Sequence, residues 1–340
     1  MTVKNNDSKL MDQINDKVSY TLDILKAKVL ENDYYDNTFF EKNMKTLKFK
    51  LFNNNYLLNH SNDNFKLSRE KHQGKIIFRD KTEDEIRIPK GTVAYYHPVE
   101  NKVYCSLDNL NTEILLHEII HMSSTLGPGR IGFTRQIKGS TYMDRHMINE
   151  GMTQWLTQKT LNGNDENNRV YAWQTRIARL LCLAIGDEMV FSYFSKANFK
   201  EISKLVKTSK EKYPLRKIAE LMEGIHTINN YVYALNNQAL PANILYSEAI
   251  NVYASLYYLL KKIQRIIIDL FVENEENINN QDKVIEFYDT LITQDVSSDY
   301  IYEFFAPILE GNFDASNYLV KQIKKNNKDM YNNTFTRTQK

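Results

Sequence analysis

Cysteine is scarce in this sequence. Only Cys105 and Cys182 occur, too few and too far apart for a disulfide framework. The scarcity favours a reducing compartment, and we expect both thiols to pack as small buried hydrophobic groups.

Long apolar runs are also missing. The strongest, residues 266–272, is interrupted by Asp269 and falls well short of the ~20 residues needed to cross a bilayer. The first ten residues are polar and lack the apolar core of a secretory signal. These absences predict a cytoplasmic protein without a membrane partner.

Neither sign of charge dominates. The chain carries 44 Lys and Arg against 42 Asp and Glu, a net charge of +2, and no basic cluster stands out. We therefore predict no nucleic-acid partner. The 340 residues, 42% hydrophobic and 25% charged, suit a globular protein of one large or two ordinary domains.

The sequence does contain an H-E-x-x-H motif, His117-Glu118-Ile119-Ile120-His121, within an apolar run. On a helix His117 and His121 project from one face, one turn apart, so both imidazoles can bind one metal ion. Glu118 lies on the adjoining edge, where its carboxylate can contact a metal-bound water without being a ligand. This pattern is typical of zinc hydrolases. The competing interpretation is a helix whose histidines merely pack.

A catalytic zinc site usually has three protein ligands and an open position. The metzincin pattern H-E-x-x-H-x-x-G-x-x-H is not met, because Ser124 and Gly127 stand in place of its glycine and third histidine. The alternative is a glutamate on a following helix, and residues 148–157, INEGMTQWLT, contain one.

With these two motifs the chain resembles the gluzincins, the thermolysin-like branch of zinc metallopeptidases, whose third ligand lies in an N-E-x-x-[ST] context. The run N-E-G-x-T-x-x-L-T is also similar to that of uncharacterised bacterial metallopeptidases of this class. The resemblance covers about residues 113–157. It implies Zn²⁺ as cofactor, Glu118 as general base, and three metal ligands: His117, His121 and Glu150.

The sequence departs from the family pattern one turn after Glu150. Gln154 stands there, where thermolysin-like enzymes carry an aspartate that orients a zinc-bound histidine. A glutamine can accept the imidazole proton, but it is neutral and raises ligand basicity less. On residues 148–157 themselves, spacing predicts a helix with a polar face that includes Glu150 and Gln154, opposite an apolar side.

An oxyanion-stabilising group is expected near the metal, a role that a tyrosine or histidine plays in this class. The loop 129–144 must pass close to the cleft to bring Glu150 to the metal, which puts Tyr142, Arg145 and His146 within reach. We select Tyr142 as the second catalytic residue; the alternative is a packing aromatic.

The predicted fold class is α+β, predominantly α-helical. Four β-rich segments, 75–79, 85–88, 92–96 and 102–106, predict a small, mostly antiparallel sheet before the motif helix. By the resemblance, residues 103–107 form its substrate-binding edge strand, the alternative being an ordinary covered strand. Helices are predicted over 10–31 and, with an interruption at 53–55, over 39–58. A motif helix capped by Asn111 and ending before residues 127–129 follows.

Four parts are expected: a helical lead-in (1–70), a zincin-type catalytic domain (71–165), a large helical domain that closes the cleft (166–325) and a mobile tail (326–340). The helical domain includes helices over 170–183, closed at Gly186, and over 244–271. The predicted function is a zinc metallopeptidase that cleaves peptides or proteins by a metal-activated water. An endopeptidase is favoured, because the G-x-M-E-N motif of gluzincin aminopeptidases is absent. The alternative is a regulatory or interaction protein on the same fold.

Overall fold

The computed structural model describes residues 16–30, 35–52, 93–106, 111–127, 129–137, 143–161, 171–236 and 242–292. Its fold is α+β and predominantly helical, as predicted. Backbone contacts separate two compact units. The first takes the described residues up to Asp144 with those in Leu156–Asn164 and Phe191–Phe199; the second takes Arg145–Trp155, those in Asp165–Val190 and those from Lys200 onward. The predicted domain boundaries stay predictions.

The first unit holds all the strands of the described residues. Its elements up to the motif helix are α1 (16–25, continued by a π-helical stretch Lys26–Leu30), α2 (Thr38–Met44), β1 (Lys48–Phe52), β2 (Ala94–His97), β3 (Lys102–Ser106) and α3 (Thr112–Ser123). Four very short strands follow: β4 (Thr125–Gly127), β5 (Arg130–Ile131), β6 (Arg135–Gln136) and β7 (Met143–Asp144). These strands replace much of the loop predicted over 129–144.

The main sheet has the order β1-β3-β2. β1 pairs with β3 in parallel, and β2 pairs with β3 antiparallel. The sheet is therefore mixed, and β3 is its central strand. The prediction that residues 103–107 form the edge strand is wrong, because both sides of β3 are paired.

The helix predicted over 39–58 is also wrong in its second half, where the structure has the strand β1 over Lys48–Phe52. Charged and apolar residues alternate over the first four residues of the segment Lys48–Phe52, Lys-Phe-Lys-Leu, and this period of two is the strand period. Pairing with β3 satisfies the backbone groups along one side of this strand. The predicted strands 75–79 and 85–88 lie outside the described residues.

Helix α3 forms as the sequence predicts. Asn111 caps its start, with the side-chain Oδ1 accepting from the backbone N–H of Ile114 at 2.8 Å. Five of its apolar residues are fully buried: Leu115, Leu116, Ile119, Ile120 and Met122. The helix packs against β2 and α2.

Beyond β7 the described residues form helices joined by turns and short loops. The helices are α4 (His146–Thr160), α5 (Ala172–Ile185), α6 (Asp187–Ser195), α7 (Phe199–Leu205), α8 (Pro214–Asn236), α9 (Ala242–Val272), α10 (Glu275–Asn279) and α11 (Gln281–Ile292). Within the second unit α9 packs on α8 and α5, and α5 packs on α11.

Two predicted helices of this unit are confirmed with small shifts at their ends. α9 corresponds to the predicted 244–271. α5 corresponds to 170–183 and ends at Gly186, whose φ of 106° belongs to the region that glycine adopts without strain. Both cysteines are buried, as expected. Among the described helices, none combines the length and apolarity needed to span a membrane.

Candidate metal centre

Three buried side chains converge in the structure: His117, His121 and Glu150. One ligand atom from each lies within 4.8 Å of the other two. Their exposed fractions are only 6%, 7% and 5%. They are the three residues that the sequence nominates as metal ligands, and as a group they could bind a metal ion.

The two histidines are already at a spacing that suits a shared cation. Their Nε2 atoms are 3.1 Å apart, and the rings meet at 77°. Two nitrogens bound to a tetrahedral zinc at ~2.0–2.1 Å lie about 3.3 Å from each other. The α-helical step from residue 117 to 121 therefore places both donors close to the positions that one ion requires.

The carboxyl end of α3, just after His121, is held by side chains from the start of the chain. Asn43 in α2 donates from Nδ2 to the carbonyls of Met122 at 3.0 Å and Thr125 at 2.8 Å. The hydroxyls of Tyr35 and Ser123 are hydrogen-bonded at 2.7 Å. Sequence reasoning assigned the lead-in no role at the site. The structure shows that Asn43 pairs with the carbonyl of Met122, which the end of the helix leaves without an intrahelical partner, and with that of Thr125 just beyond the helix.

Glu118, the predicted base, faces the sheet. Its Oε2 accepts a hydrogen bond from the backbone N–H of Tyr96 in β2 at 2.8 Å. Glu118 also affects the thiol of Cys105 in β3. The pKa of this thiol is raised to about 12, mainly by burial and next by the negative charge of Glu118. The sequence could not have revealed the Tyr96 contact, because any residue except proline carries the donor.

The helix that supplies Glu150 begins after a sharp turn. Arg145 has a φ of 63°, and α4 starts at the next residue. The backbone N–H of Met147, in the first helical turn, donates to Oε1 of Glu223 on α8 at 2.9 Å. This carboxylate both satisfies an N-terminal donor and complements the positive end of the helix.

The polar face of α4 that includes Glu150 is buried. Its Thr153, Gln154 and Thr157 are as buried as the apolar Met152. Oε1 of Glu150 lies 3.3 Å from Nδ1 of His146, one turn earlier on the same helix.

The other predicted site residues have mixed outcomes. Gln154, one turn after Glu150, is 3% exposed. His146 reaches Glu150, as described above. Tyr142 lies outside the described residues, so its predicted oxyanion role stays a prediction.

The chain matches no protein-family model, no curated protein and no solved structure. The chemistry of the site is therefore inferred from its own donors, their burial and their geometry.

The donor set fits a divalent transition metal. Two imidazole nitrogens and a carboxylate oxygen are ligands that zinc accepts in catalytic sites, and the same three types also bind non-haem iron. A carboxylate removed from water needs a compensating partner, and a cation between the three groups would supply one.

Proposed function

We propose that this protein is a zinc-dependent metallopeptidase of the gluzincin type, an endopeptidase of restricted specificity with Glu118 as its general base. The observation that carries the proposal is the buried convergence of His117, His121 and Glu150, next to a carboxylate that immediately follows the first of these ligands. Metal identity and reaction both belong to the proposal.

The three ligands would hold the ion through two neutral nitrogens and one carboxylate oxygen, and leave it one net positive charge. When bound, zinc lowers the pKa of a coordinated water to about 7 and polarises a carbonyl group. The burial of the three ligands keeps competing bulk water away from the donors, which strengthens their electrostatic interactions.

Glu118 moves the proton in this proposal. Its carboxylate accepts a proton from the attacking water and passes it to the nitrogen of the leaving amine. The hydrogen bond from the backbone N–H of Tyr96 to Oε2 fixes the orientation of that carboxylate at 2.8 Å. A backbone donor is well suited to this role, because it carries no charge and cannot itself titrate.

The position of Glu118 favours hydrolysis over the redox chemistry of an iron site. Both need two imidazoles and a carboxylate as ligands. A further carboxylate between the two histidines in sequence, set at the edge of the ligand face, has a function in hydrolysis as a proton acceptor. Oxygen activation at iron requires no such base.

The first experiment measures metal content and peptide cleavage on the same preparations. Elemental mass spectrometry should find about one zinc per chain in the wild type and in Glu118→Gln, and little in Glu150→Ala. Peptides from a digested proteome, incubated with zinc-loaded protein, should acquire new termini with the wild type only. Loss of a general base slows turnover by roughly 10²- to 10⁴-fold.

A matched variant separates the loss of a base from the loss of a charge on α3. Glu113→Gln removes a carboxylate from the first turn of the same helix, outside the group of residues that could hold the metal, and should keep both zinc and cleavage. Full zinc and undiminished cleavage in Glu118→Gln would refute the assigned base. A protein that takes up no metal when zinc is supplied would instead favour the interaction-protein alternative.

A further inference from the structure

His146 contacts Glu150 beside the proposed metal centre, and the sequence motifs do not explain this contact. Building on the proposed function, we propose that His146 is a positioning residue: its Nδ1–H donates to Oε1 of Glu150 and orients that carboxylate for the metal. His146 is not a member of the group whose ligand atoms lie mutually within 4.8 Å. It acts on the site through Glu150.

Helix geometry brings the two side chains together. They are four residues apart on α4, and Nδ1 lies 3.3 Å from Oε1. Side chains on a helix lean toward its amino terminus, so the carboxylate at position 150 is carried back over the turn that begins at position 146. Imidazole can donate from one ring nitrogen while the other remains an acceptor, so the contact does not require a charged histidine.

The side chains of His146 and Glu150 differ in exposure. This difference allows an effect on metal binding to be distinguished from an effect on the packing of the core. The side chain of Glu150 is 7% exposed, whereas that of His146 is 43% exposed. Truncation of an exposed side chain removes little buried surface. A loss of metal affinity after such a truncation would therefore come from the carboxylate and not from a cavity.

Helix α8 also contacts the first turn of α4. The ring of His226 meets that of His146 at 79°, with centroids 6.4 Å apart. Glu223, one turn earlier on α8, accepts from the backbone N–H of Met147. The first turn of α4 is thus held at its backbone by Glu223, and its histidine ring lies against a second ring. These contacts reduce the freedom of the donor that faces Glu150.

Such support has a known magnitude. Carboxylates that bind metals are themselves hydrogen-bonded, and removal of an outer partner weakens metal affinity by about 10- to 100-fold. The test uses the full chain stripped of metal, with zinc affinity measured by competition against a chromophoric chelator. His146→Ala should weaken zinc binding by about 10- to 100-fold. His146→Asn should retain wild-type affinity, because its Nδ2 occupies the place of Nδ1.

Two further readouts distinguish positioning from folding. The thermal midpoint of the metal-free protein should be the same in wild type, His146→Ala and His146→Asn. The visible spectrum of the cobalt-substituted protein should shift in His146→Ala alone, since the geometry of the carboxylate ligand changes there. Lys159→Ala truncates an exposed residue near the other end of α4, and it should leave all three readouts unchanged.

Three results would overturn the inference. If the wild type binds zinc and Glu150→Ala loses it, but His146→Ala binds like wild type, the positioning role is refuted while the proposed function stands. If His146→Asn is as weak as His146→Ala, the donor at Nδ1 is not what matters. If the wild type itself binds no zinc, the proposed function fails, and this inference fails with it.

Discussion

The backbone N–H of Tyr96 donates to Oε2 of Glu118 at 2.8 Å, and this bond joins the sheet to the helix that carries both histidines. Tyr96 lies in β2, one of the two outer strands of the three-stranded sheet in the part of the chain that the structure describes. An outer strand directs some of its N–H groups away from the sheet, and here one of them is paired with a carboxylate.

Hydrogen exchange tests this relationship. A hydrogen bond to a charged group contributes about 1.5–3 kcal/mol, so in Glu118→Ala the Tyr96 amide should exchange roughly tenfold to a hundredfold faster. Glu118→Gln keeps an acceptor oxygen and should largely preserve protection. The amide of Val103 in the central strand serves as the internal control, with the same rate in all three proteins. Equal Tyr96 rates in wild type and Glu118→Ala, measured by NMR, would contradict the contact.

The close approach of α4 and α5 at Gly151 gives a second prediction. A Cβ atom at Gly151 would clash with the backbone carbonyl group of Gln174, and backbone cannot move aside as a flexible side chain can. Gly151→Ala should therefore lower the free energy of unfolding by about 1–3 kcal/mol. It should also weaken zinc binding, because the displaced residue adjoins Glu150.

Gly224 in α8 is the matched control for that change. It too lies inside a helix, but an added Cβ would meet only Cδ1 of Leu259, at an ordinary 3.4 Å. Gly224→Ala should stabilise the protein by about 0.5–1 kcal/mol, the usual advantage of alanine over glycine in a helix. Denaturant unfolding of both variants makes the comparison. Similar effects of the two substitutions would show that the α4–α5 contact is looser than described.

The third prediction concerns pH and Cys105. Burial, and next the charge of Glu118, raise the pKa of this thiol from 9.0 to about 12. As the pH rises, the thiol ionises in the unfolded chain before it ionises in the folded protein. The stability contributed by the buried neutral thiol is therefore present below about pH 9 and lost toward pH 12. Cys105→Ala should flatten the stability curve over that interval.

Alkylation gives a direct measurement at lower pH. Thiolate is the reactive form, so iodoacetamide at pH 8 should leave Cys105 unmodified in the native protein and modify it once guanidinium has unfolded the chain. Mass spectrometry identifies the modified peptide. Rapid alkylation of native Cys105 at pH 8 would contradict both its burial and its raised pKa.

Local sequence was sufficient for much of the helical structure. The H-E-x-x-H segment is apolar on most of its surface and begins with a side-chain cap, so α3 was predictable from its own residues. The same holds for α9, because its apolar spacing repeats over many turns. In the sheet, by contrast, the Lys-Phe-Lys-Leu-Phe segment was predicted as helix, and the central strand was predicted as an edge. The position of a strand within a sheet depends on segments distant in sequence, which local patterns do not specify.

The candidate site divides in the same way. The sequence by itself determined which chemical groups are available and that His117 and His121 share a face, because the helical repeat places residues four apart on one side. Only the tertiary structure brought Glu150 within 4.8 Å of them, buried the three together and set the Tyr96 N–H against the carboxylate of Glu118. Those distances depend on how separate elements pack, and packing is a property of the whole chain rather than of any one segment.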